Sequence, residues 1–181
     1  MSNGNSKNNK NNNGRVCIVP GTFDPVTNGH LDIIVRSAEL FDKIYAVSFE
    51  NSAKKTMFDS AERLEMLKLA CEGINNAEAD VTSELLVDYA KSKNAGFITR
   101  GIRNSSDFEY EYSMFLINRE IGNNIGIGIE TVFLPAKSEH LYISSAFVRE
   151  MIIYKRDISK YVPEKTAGFI TARQKNLLKS I

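Results

Sequence analysis

Four cationic side chains follow predicted strands at places where they could together bind phosphate groups. His30 follows the first predicted strand, Lys54 the second, and Arg100 and Arg103 the fourth. Because the carboxyl ends of parallel strands meet at one edge of a sheet, we expect these side chains to form a single cationic pocket. Such a pocket suits phosphoryl or nucleotidyl transfer without a covalent intermediate, in which an enzyme positions the reactants and neutralises developing charge.

The chain has two histidines, and both follow predicted strands, His30 the first and His140 the fifth. We interpret His30 as a hydrogen-bond donor to a reacting phosphate, because a phosphate nucleophile is already an anion and needs no general base. Ser144 and Ser145 begin a helix after the fifth strand, where N–H and hydroxyl groups can bind a phosphate. No nucleophile–base–orienter triad is evident, and no carboxylate cluster requires a protein-bound metal; Asp24 would at most orient a neighbouring group.

A strand-to-helix turn over residues 20–30 holds the first of these groups. The apolar run before it favours a buried strand, and the apolar residues after it recur at helical spacing. Gly21 and Gly29 let a ligand approach the main chain closely. We expect Asn28 to cap the helix, which places His30 in the first helical turn, where free N–H groups and the helix dipole attract anions.

Strands alternate with helices along the rest of the chain. The predicted strands are 15–20, 43–49, 77–82, 97–99 and 127–134. The predicted helices are 28–41, 59–72, 84–94, 105–121, 144–155 and 163–178, with Ser105 or Ser106 capping the fourth. This alternation predicts an α/β protein with a Rossmann-like, doubly wound, five-stranded parallel sheet, helices on both faces and ligands at the carboxyl ends of the strands.

Composition, charge and cysteine content exclude several classes of protein. Residues 1–14 contain seven asparagines, so we expect a disordered tail followed by a single domain over 15–181. The formal net charge is +1, and without Lys7 and Lys10 of the tail it is −1, so no nucleic-acid partner is expected. Two cysteines without a Cys-x-x-Cys pair favour a reduced, cytoplasmic compartment. No apolar run approaches the ~20 residues that cross a bilayer, so no membrane partner is expected.

Five motifs, at these spacings, resemble those of the phosphopantetheine adenylyltransferase family. Segment 20–30 contains Gly-Thr-Phe-Asp-Pro followed by Thr-x-Gly-His, which by itself resembles the wider nucleotidyltransferase superfamily. The other motifs are 54–58, 100–103, 107–111 and 143–145 with Arg149. The resemblance implies that residues 15–181 form one nucleotidyltransferase domain.

The resemblance implies a reaction of CoA biosynthesis. ATP and 4′-phosphopantetheine would give dephospho-CoA and pyrophosphate by direct in-line attack, with Mg²⁺ accompanying ATP. A homo-oligomer, typically a hexamer, is also implied. CoA would act as a feedback inhibitor by competing for the same pocket.

The resemblance also implies which residues form the site. Thr22, His30, Lys54 and Arg100 would be catalytic, with His30 stabilising the transition state. Thr22, Lys54, Leu86 and Arg100 would bind 4′-phosphopantetheine. The ATP-binding residues that it implies are Thr22, Phe23, His30, Gly101, Ile102, Arg103, Glu111, His140, Leu141, Tyr142, Ile143, Ser144, Ser145 and Ala146.

A few positions depart from the commonest pattern of the family, and two other functions stay open. Thr56 stands where proline is frequent, His140 where tryptophan is common, and Ala146 where serine or threonine is common. One alternative is another small-molecule nucleotidyltransferase, acting for example on nicotinate mononucleotide or glycerol 3-phosphate, against which segments 100–103 and 107–111 argue. The other is a non-catalytic nucleotide or CoA sensor, although a pure binder needs no transition-state donor.

Overall fold

A computed structural model describes residues 14–50 and 55–179, with side chains as far as residue 174. The strands are β1 (Val16–Gly21), β2 (Lys43–Phe49), β3 (Ala77–Thr82), β4 (Phe97–Ile102) and β5 (Glu130–Pro135). The helices are α1 (Asn28–Leu40), α2 (Ser60–Cys71), α3 (Leu86–Ser92), α4 (Ser105–Asn124), α5 (Ser145–Ile153) and α6 (Glu164–Lys179), with a 3₁₀ turn at Ser138–His140.

The five strands form one parallel sheet in the order β3-β2-β1-β4-β5. The chain moves outward from β1 to β3, then crosses back to place β4 on the other side of β1. Ligands of open α/β sheets bind outside the carboxyl ends of the strands at such a reversal. The predicted Rossmann-like, five-stranded parallel sheet is therefore confirmed, and its switch point lies between β1 and β4.

Helices cover both faces of the sheet because the strands are apolar on both sides. In β1, Cys17 and Val19 face one core while Ile18 faces the other, as the two-residue period of a strand requires. The first core receives buried residues from α1, α2, α5 and α6, including Ile34 and Met66. The second is covered by α3 and α4. The sheet thus holds the ends of β1 and β4 rigidly between two packed layers.

Two predicted strand boundaries are wrong. Strand β4 continues beyond residue 99, since Arg100 pairs with Phe133 and Ile102 with Pro135. Strand β5 begins at Glu130 rather than at residue 127. The amide of Ile127 instead donates a hydrogen bond of 2.9 Å to the Gly122 carbonyl, which terminates α4. The longer β4 carries Arg100 within the sheet instead of in a loop.

Two predicted helix caps are also wrong. Thr27, not Asn28, caps α1, because its hydroxyl accepts a hydrogen bond from the His30 backbone amide. The side-chain amide of Asn28 instead donates a hydrogen bond of 3.1 Å to the Lys160 carbonyl. Asn104, not a serine, caps α4 by accepting 2.9 Å from the Asp107 amide. An Asn or Thr oxygen reaches the third helical amide in both cases.

Two further predictions concern the disordered tail and membrane-spanning segments. The predicted disordered tail falls almost entirely on residues 1–13, which lie outside the described residues, so it stays a prediction. Within the described residues, none of the helices is both long and apolar enough to cross a membrane.

Candidate active site

The candidate site lies at the switch point, where the loop 22–27 passes from β1 to α1. Arg100, at the carboxyl half of β4, donates from Nη1 to the Pro20 carbonyl at 2.6 Å and so fastens β4 to the end of β1. At Gly101, an added Cβ would lie 2.9 Å from the Ile33 side chain, so a glycine there lets β4 end close against α1. These contacts bring the predicted residues of both strands to one place.

His30 is held in one orientation by the cap of α1. Its Nδ1 accepts from the Thr27 amide at 3.0 Å and lies 3.2 Å from the Thr27 hydroxyl. A backbone amide can only donate, so Nδ1 carries no proton and the neutral ring is protonated at Nε2. The Phe23 ring packs edge-on against the imidazole, with centroids 5.1 Å apart. The side chain therefore presents one N–H donor, Nε2, in a fixed direction.

The surroundings keep His30 neutral. Burial, followed by the nearby charges of Arg103 and Arg100, lowers the pKa of His30 from 6.5 to about 4. Both effects disfavour the imidazolium. The influence of the two guanidinium groups also shows that the structure brings these predicted residues together. Lys54, the other predicted cation, lies outside the described residues.

Each arginine is already paired with a carboxylate of α4. Arg100 donates from Nε to Glu111 Oε2 at 2.7 Å and from Nη2 to the other Glu111 oxygen, a bidentate pair. Arg103 donates from Nε to Asp107 Oδ2 at 2.9 Å. One hydrogen on each of the Arg100 Nη1 and Nη2 groups has no partner among the described residues. The site is therefore less positive than its cations alone suggest.

The segment before α5 packs against the same loop. Ser144 caps α5 by accepting 3.1 Å from the Phe147 amide, and Ser145 donates its hydroxyl to the Pro25 carbonyl at 2.8 Å. A Cβ added to Gly29 would lie 3.6 Å from the Cβ of His140, so the 3₁₀ turn approaches the start of α1 closely. His140 Nδ1 is buried without a hydrogen-bond partner among the described residues. The segment 140–146 thus packs against the loop 22–27 and the start of α1.

The remaining predicted residues differ in exposure. Leu86 begins α3 and packs partly buried against the second core, whereas Leu85 before it is 65% exposed. Leu141 and Tyr142 are exposed, and Ile143 between them and α5 is buried. Most of segment 140–146 therefore offers backbone and surface to a ligand rather than buried side chains.

Comparison with known proteins identifies the family. The model of the cytidylyltransferase-like family matches residues 18–151. A phosphopantetheine adenylyltransferase of Alkaliphilus metalliredigens is 43% identical over 150 residues, covering 83% of this chain and 93% of that protein. A protein of the same name from Caldanaerobacter subterraneus is 44% identical, covering 84% of this chain and 93% of that protein. Another from Desulfosudis oleivorans is 42% identical, covering 89% of this chain and 98% of that protein. The chain belongs to the phosphopantetheine adenylyltransferase family.

The predicted resemblance is thereby confirmed, and the protein is a nucleotidyltransferase. Solved structures of Plasmodium falciparum nicotinic acid mononucleotide adenylyltransferase share its fold. The complex with APC has a TM-score of 0.64 at 18% identity, covering 88% of this chain and 95% of that one. The complex with NaAD has a TM-score of 0.62 at 19% identity, with 87% and 95% covered. At these identities the likeness concerns the fold alone.

Asp24, expected from the sequence at most to orient a neighbouring group, connects three segments at the candidate site. Its carboxylate is 3% exposed and accepts from the amides of Met57, at 3.0 Å, and Phe58, at 2.9 Å. Arg149 of α5 donates to the Asp24 carbonyl at 2.6 Å and lies 3.4 Å from its carboxylate. Asp24 therefore joins the loop 22–27, the residues that follow Lys54, and α5. An acidic residue between Phe and Pro, next to a buried strand, was the available signal.

Proposed function

We propose that this chain transfers the adenylyl group of ATP to 4′-phosphopantetheine, giving dephospho-CoA and pyrophosphate in CoA biosynthesis. The identity of 42–44% to proteins named for this reaction, over most of the chain, carries the proposal. The geometry is suited to it, because a fixed N–H donor and two guanidinium groups meet at the switch point of the sheet. No nucleophilic side chain is required, since the acceptor is itself a phosphate.

The proposed chemistry is a direct in-line displacement. An oxygen of the 4′-phosphate attacks the α-phosphorus of ATP, a new P–O bond forms, and the bond to the bridging oxygen breaks, releasing pyrophosphate with its electron pair. His30 donates from Nε2 to a non-bridging oxygen of the α-phosphate, where negative charge grows. A donor aimed at developing charge is worth roughly 10²–10³ in rate. A neutral imidazole can donate here without giving up its proton.

The proposal assigns the substrates to different sides of the site. Thr22, Lys54, Leu86 and Arg100 hold 4′-phosphopantetheine, with the unpartnered Arg100 hydrogens directed to its phosphate. ATP lies along the end of β4, from Gly101 to Arg103, and along segment 140–146. Two contacts support this assignment. The Ser145 hydroxyl donates to the Pro25 carbonyl, and Gly101 of β4 lies close to Ile33 of α1.

Magnesium enters the proposal with ATP. Within the described residues, no group of three or more histidine, cysteine or acidic side chains could hold a metal ion. The site's own carboxylates are engaged, Asp24 with two amides and Arg149, and Glu111 with Arg100. We therefore expect Mg²⁺ to be held by the nucleotide phosphates, its usual partners.

A homo-oligomer, with a hexamer as the expected form, is also part of the proposal. Helix α4 exposes five large apolar side chains, each 45–63% accessible, on two faces: Phe108, Tyr112 and Leu116 on one, and Tyr110 and Ile117 on the other. Apolar faces of this kind mark contact surfaces. Leu116→Glu should reduce the mass measured by light scattering, while the charge change Lys68→Glu on the exposed side of α2 should not. An unchanged mass in Leu116→Glu would count against α4 as the contact.

The test of the reaction is pyrophosphate release from ATP and Mg²⁺ with and without 4′-phosphopantetheine. We expect release to depend on that acceptor and to fail with nicotinate mononucleotide. His30→Ala should lower kcat by about 10²–10³, with a much smaller change in the dissociation constant of ATP. Tight binding of ATP or CoA without any release would favour a sensor instead. A CoA feedback role and a cytoplasmic location are expected with this function, and inhibition by added CoA tests the first.

A further inference from the structure

Arg63 of α2 is a buried cation directly behind the loop 22–27. Its side chain is 3% exposed. Nη1 donates to the Thr22 carbonyl at 3.0 Å and to the Ser48 hydroxyl at 2.9 Å, and Nη2 donates to the Ser60 hydroxyl at 3.2 Å. Nε is buried with no partner, and no carboxylate within the described chain forms an ion pair with the group.

Burying the Arg63 guanidinium without a carboxylate partner is unfavourable, so its hydrogen bonds need a structural explanation. A buried guanidinium that is hydrogen-bonded only to neutral groups carries a desolvation cost that an apolar side chain of similar length does not. Neighbouring positions of α2, such as Met66 and Leu67, fill the core with apolar groups. The packing of α2 therefore does not require an arginine at position 63, whose hydrogen bonds instead go to the Thr22 carbonyl and to the Ser48 and Ser60 hydroxyls.

The Thr22 carbonyl controls the geometry around His30. It accepts from both Arg63 and the Ser48 hydroxyl, the latter at 3.1 Å, so the plane of the peptide between residues 22 and 23 is fixed. Phe23 has a φ of 49°, a backbone region that non-glycine residues adopt only when neighbours enforce it. The Phe23 ring in turn packs against the imidazole of His30.

The same guanidinium reaches the end of β2. Ser60 accepts from Arg63 and donates its own hydroxyl to Glu50 Oε1. Glu50 directly follows β2 and precedes the segment that contains Lys54. A single buried side chain thus links the ends of β1 and β2, the two strands that precede Thr22 and Lys54 in the sequence.

We propose that Arg63 is a positioning residue for adenylyl transfer, holding the Thr22 carbonyl and through it Phe23 and His30. The inference rests on the proposed function, because Thr22 and His30 act on the phosphates in that reaction. Its chemistry is indirect: Arg63 touches no substrate and moves no proton. Its loss should loosen the donor geometry at the α-phosphate more than it weakens the binding of ATP.

The experiment compares Arg63→Met, Arg63→Lys and Ser48→Ala with wild type and with Arg173→Met. Arg173 is the matched control, since it also packs on α2, through Glu62, and lies over the Phe58 ring, but among the described residues it donates no hydrogen bond to the loop 22–27. Each variant is first shown by thermal unfolding to be folded at the assay temperature. Acceptor-dependent pyrophosphate release then gives kcat and the KM for ATP, and NMR records the ring protons of the two histidines.

A displaced reacting group typically costs about 10²-fold, so kcat of Arg63→Met should fall about 10–100-fold with the KM for ATP nearly unchanged. Arg63→Lys should recover part of the loss, and Ser48→Ala should lose several-fold. The His30 ring signals should shift in these variants and not in Arg173→Met. A kcat in Arg63→Met within about twofold of wild type, or a loss equal to that in Arg173→Met, overturns the inference.

Two further outcomes are also decisive. If Arg63→Met does not fold, Arg63→Lys and Ser48→Ala, which keep the charge or the packing of α2, are judged by the same comparison with Arg173→Met. If wild type releases no pyrophosphate in response to 4′-phosphopantetheine, the proposed function fails by itself. The His30 signals then still decide whether Arg63 positions the loop, and unchanged signals overturn it.

Discussion

His30 should remain uncharged at every pH at which the protein is ordinarily studied. Burial and the charges of Arg103 and Arg100 lower its pKa from 6.5 to about 4. Each pKa unit corresponds to 1.36 kcal/mol, so the neutral ring is favoured over the charged one by about 3 kcal/mol more than in a free histidine. At pH 7 about one molecule in a thousand would carry an imidazolium at this position.

The perturbation that tests this reasoning is Arg103→Met. Removing the larger of the two charge effects should raise the pKa of His30, although burial, the largest cause, keeps it below 6.5. The unfolded chain takes up the proton near pH 6.5 and the folded chain only near pH 4. The contribution of His30 to stability is therefore complete above about pH 6.5 and is lost as the pH falls toward 4.

Proton NMR is the suitable assay, because the chain has only two histidines and His140→Gln assigns their signals. The pH dependence of kcat/KM would be less informative, since substrate phosphates titrate with a pKa near 6. We expect the His30 signals to stay constant between pH 8 and about 5 in wild type and to begin moving at higher pH in Arg103→Met. A wild-type His30 that titrates near 6.5, or an unchanged pKa in Arg103→Met, would refute the electrostatic argument.

Three other outcomes can be measured on the same protein. Asp24→Asn should lower the free energy of unfolding by about 2–3 kcal/mol in urea titrations, because Arg149 loses its buried carboxylate partner. The exposed control Asp157→Asn should change it little. A small effect of Asp24→Asn would contradict the inference that Asp24 joins these segments. Burial raises the pKa of Cys17 to about 12 and that of Cys71 to about 11, so both thiols should react with a thiol reagent only after unfolding, and rapid labelling of the native protein would be the contrary result. Deleting residues 2–14 should leave pyrophosphate release unchanged, and a large loss would show that the tail takes part.

The sequence predicted the fold well because its signals were local and repeated. Apolar β-branched runs and helical stripes alternate, and that alternation leaves few topologies other than a doubly wound sheet. The predicted boundaries were wrong where two local signals compete. At the start of α1, Thr27 and Asn28 are both good caps, and only the contact of Asn28 with the distant Lys160 carbonyl decides between them. At residue 127, apolar alternation favours a strand, but a bond to Gly122 closes a helix instead.

The candidate site was predictable in its location but not in its internal pairing. Strand ends that share one edge bring His30, Arg100 and Arg103 together, which sheet topology alone implies. The partners of those groups depend on α4, whose register against β4 no local pattern contains. Glu111 was expected beside ATP, and in the structure it binds Arg100. These residue assignments to ATP and to 4′-phosphopantetheine stay predictions.

The pairing of the arginines explains how the site tolerates its own charge before substrates bind. Arg100 and Arg103 lie close enough to depress the pKa of His30, so without Glu111 and Asp107 their repulsion would oppose the packing of β4 against α1. With the carboxylates in place, a single phosphate meets nearly neutral pairs and gains little. A ligand that carries several phosphate groups can use the remaining Arg100 hydrogens and His30 Nε2 at once. The site should therefore favour a ligand with several phosphate groups, such as ATP, over a ligand with only one.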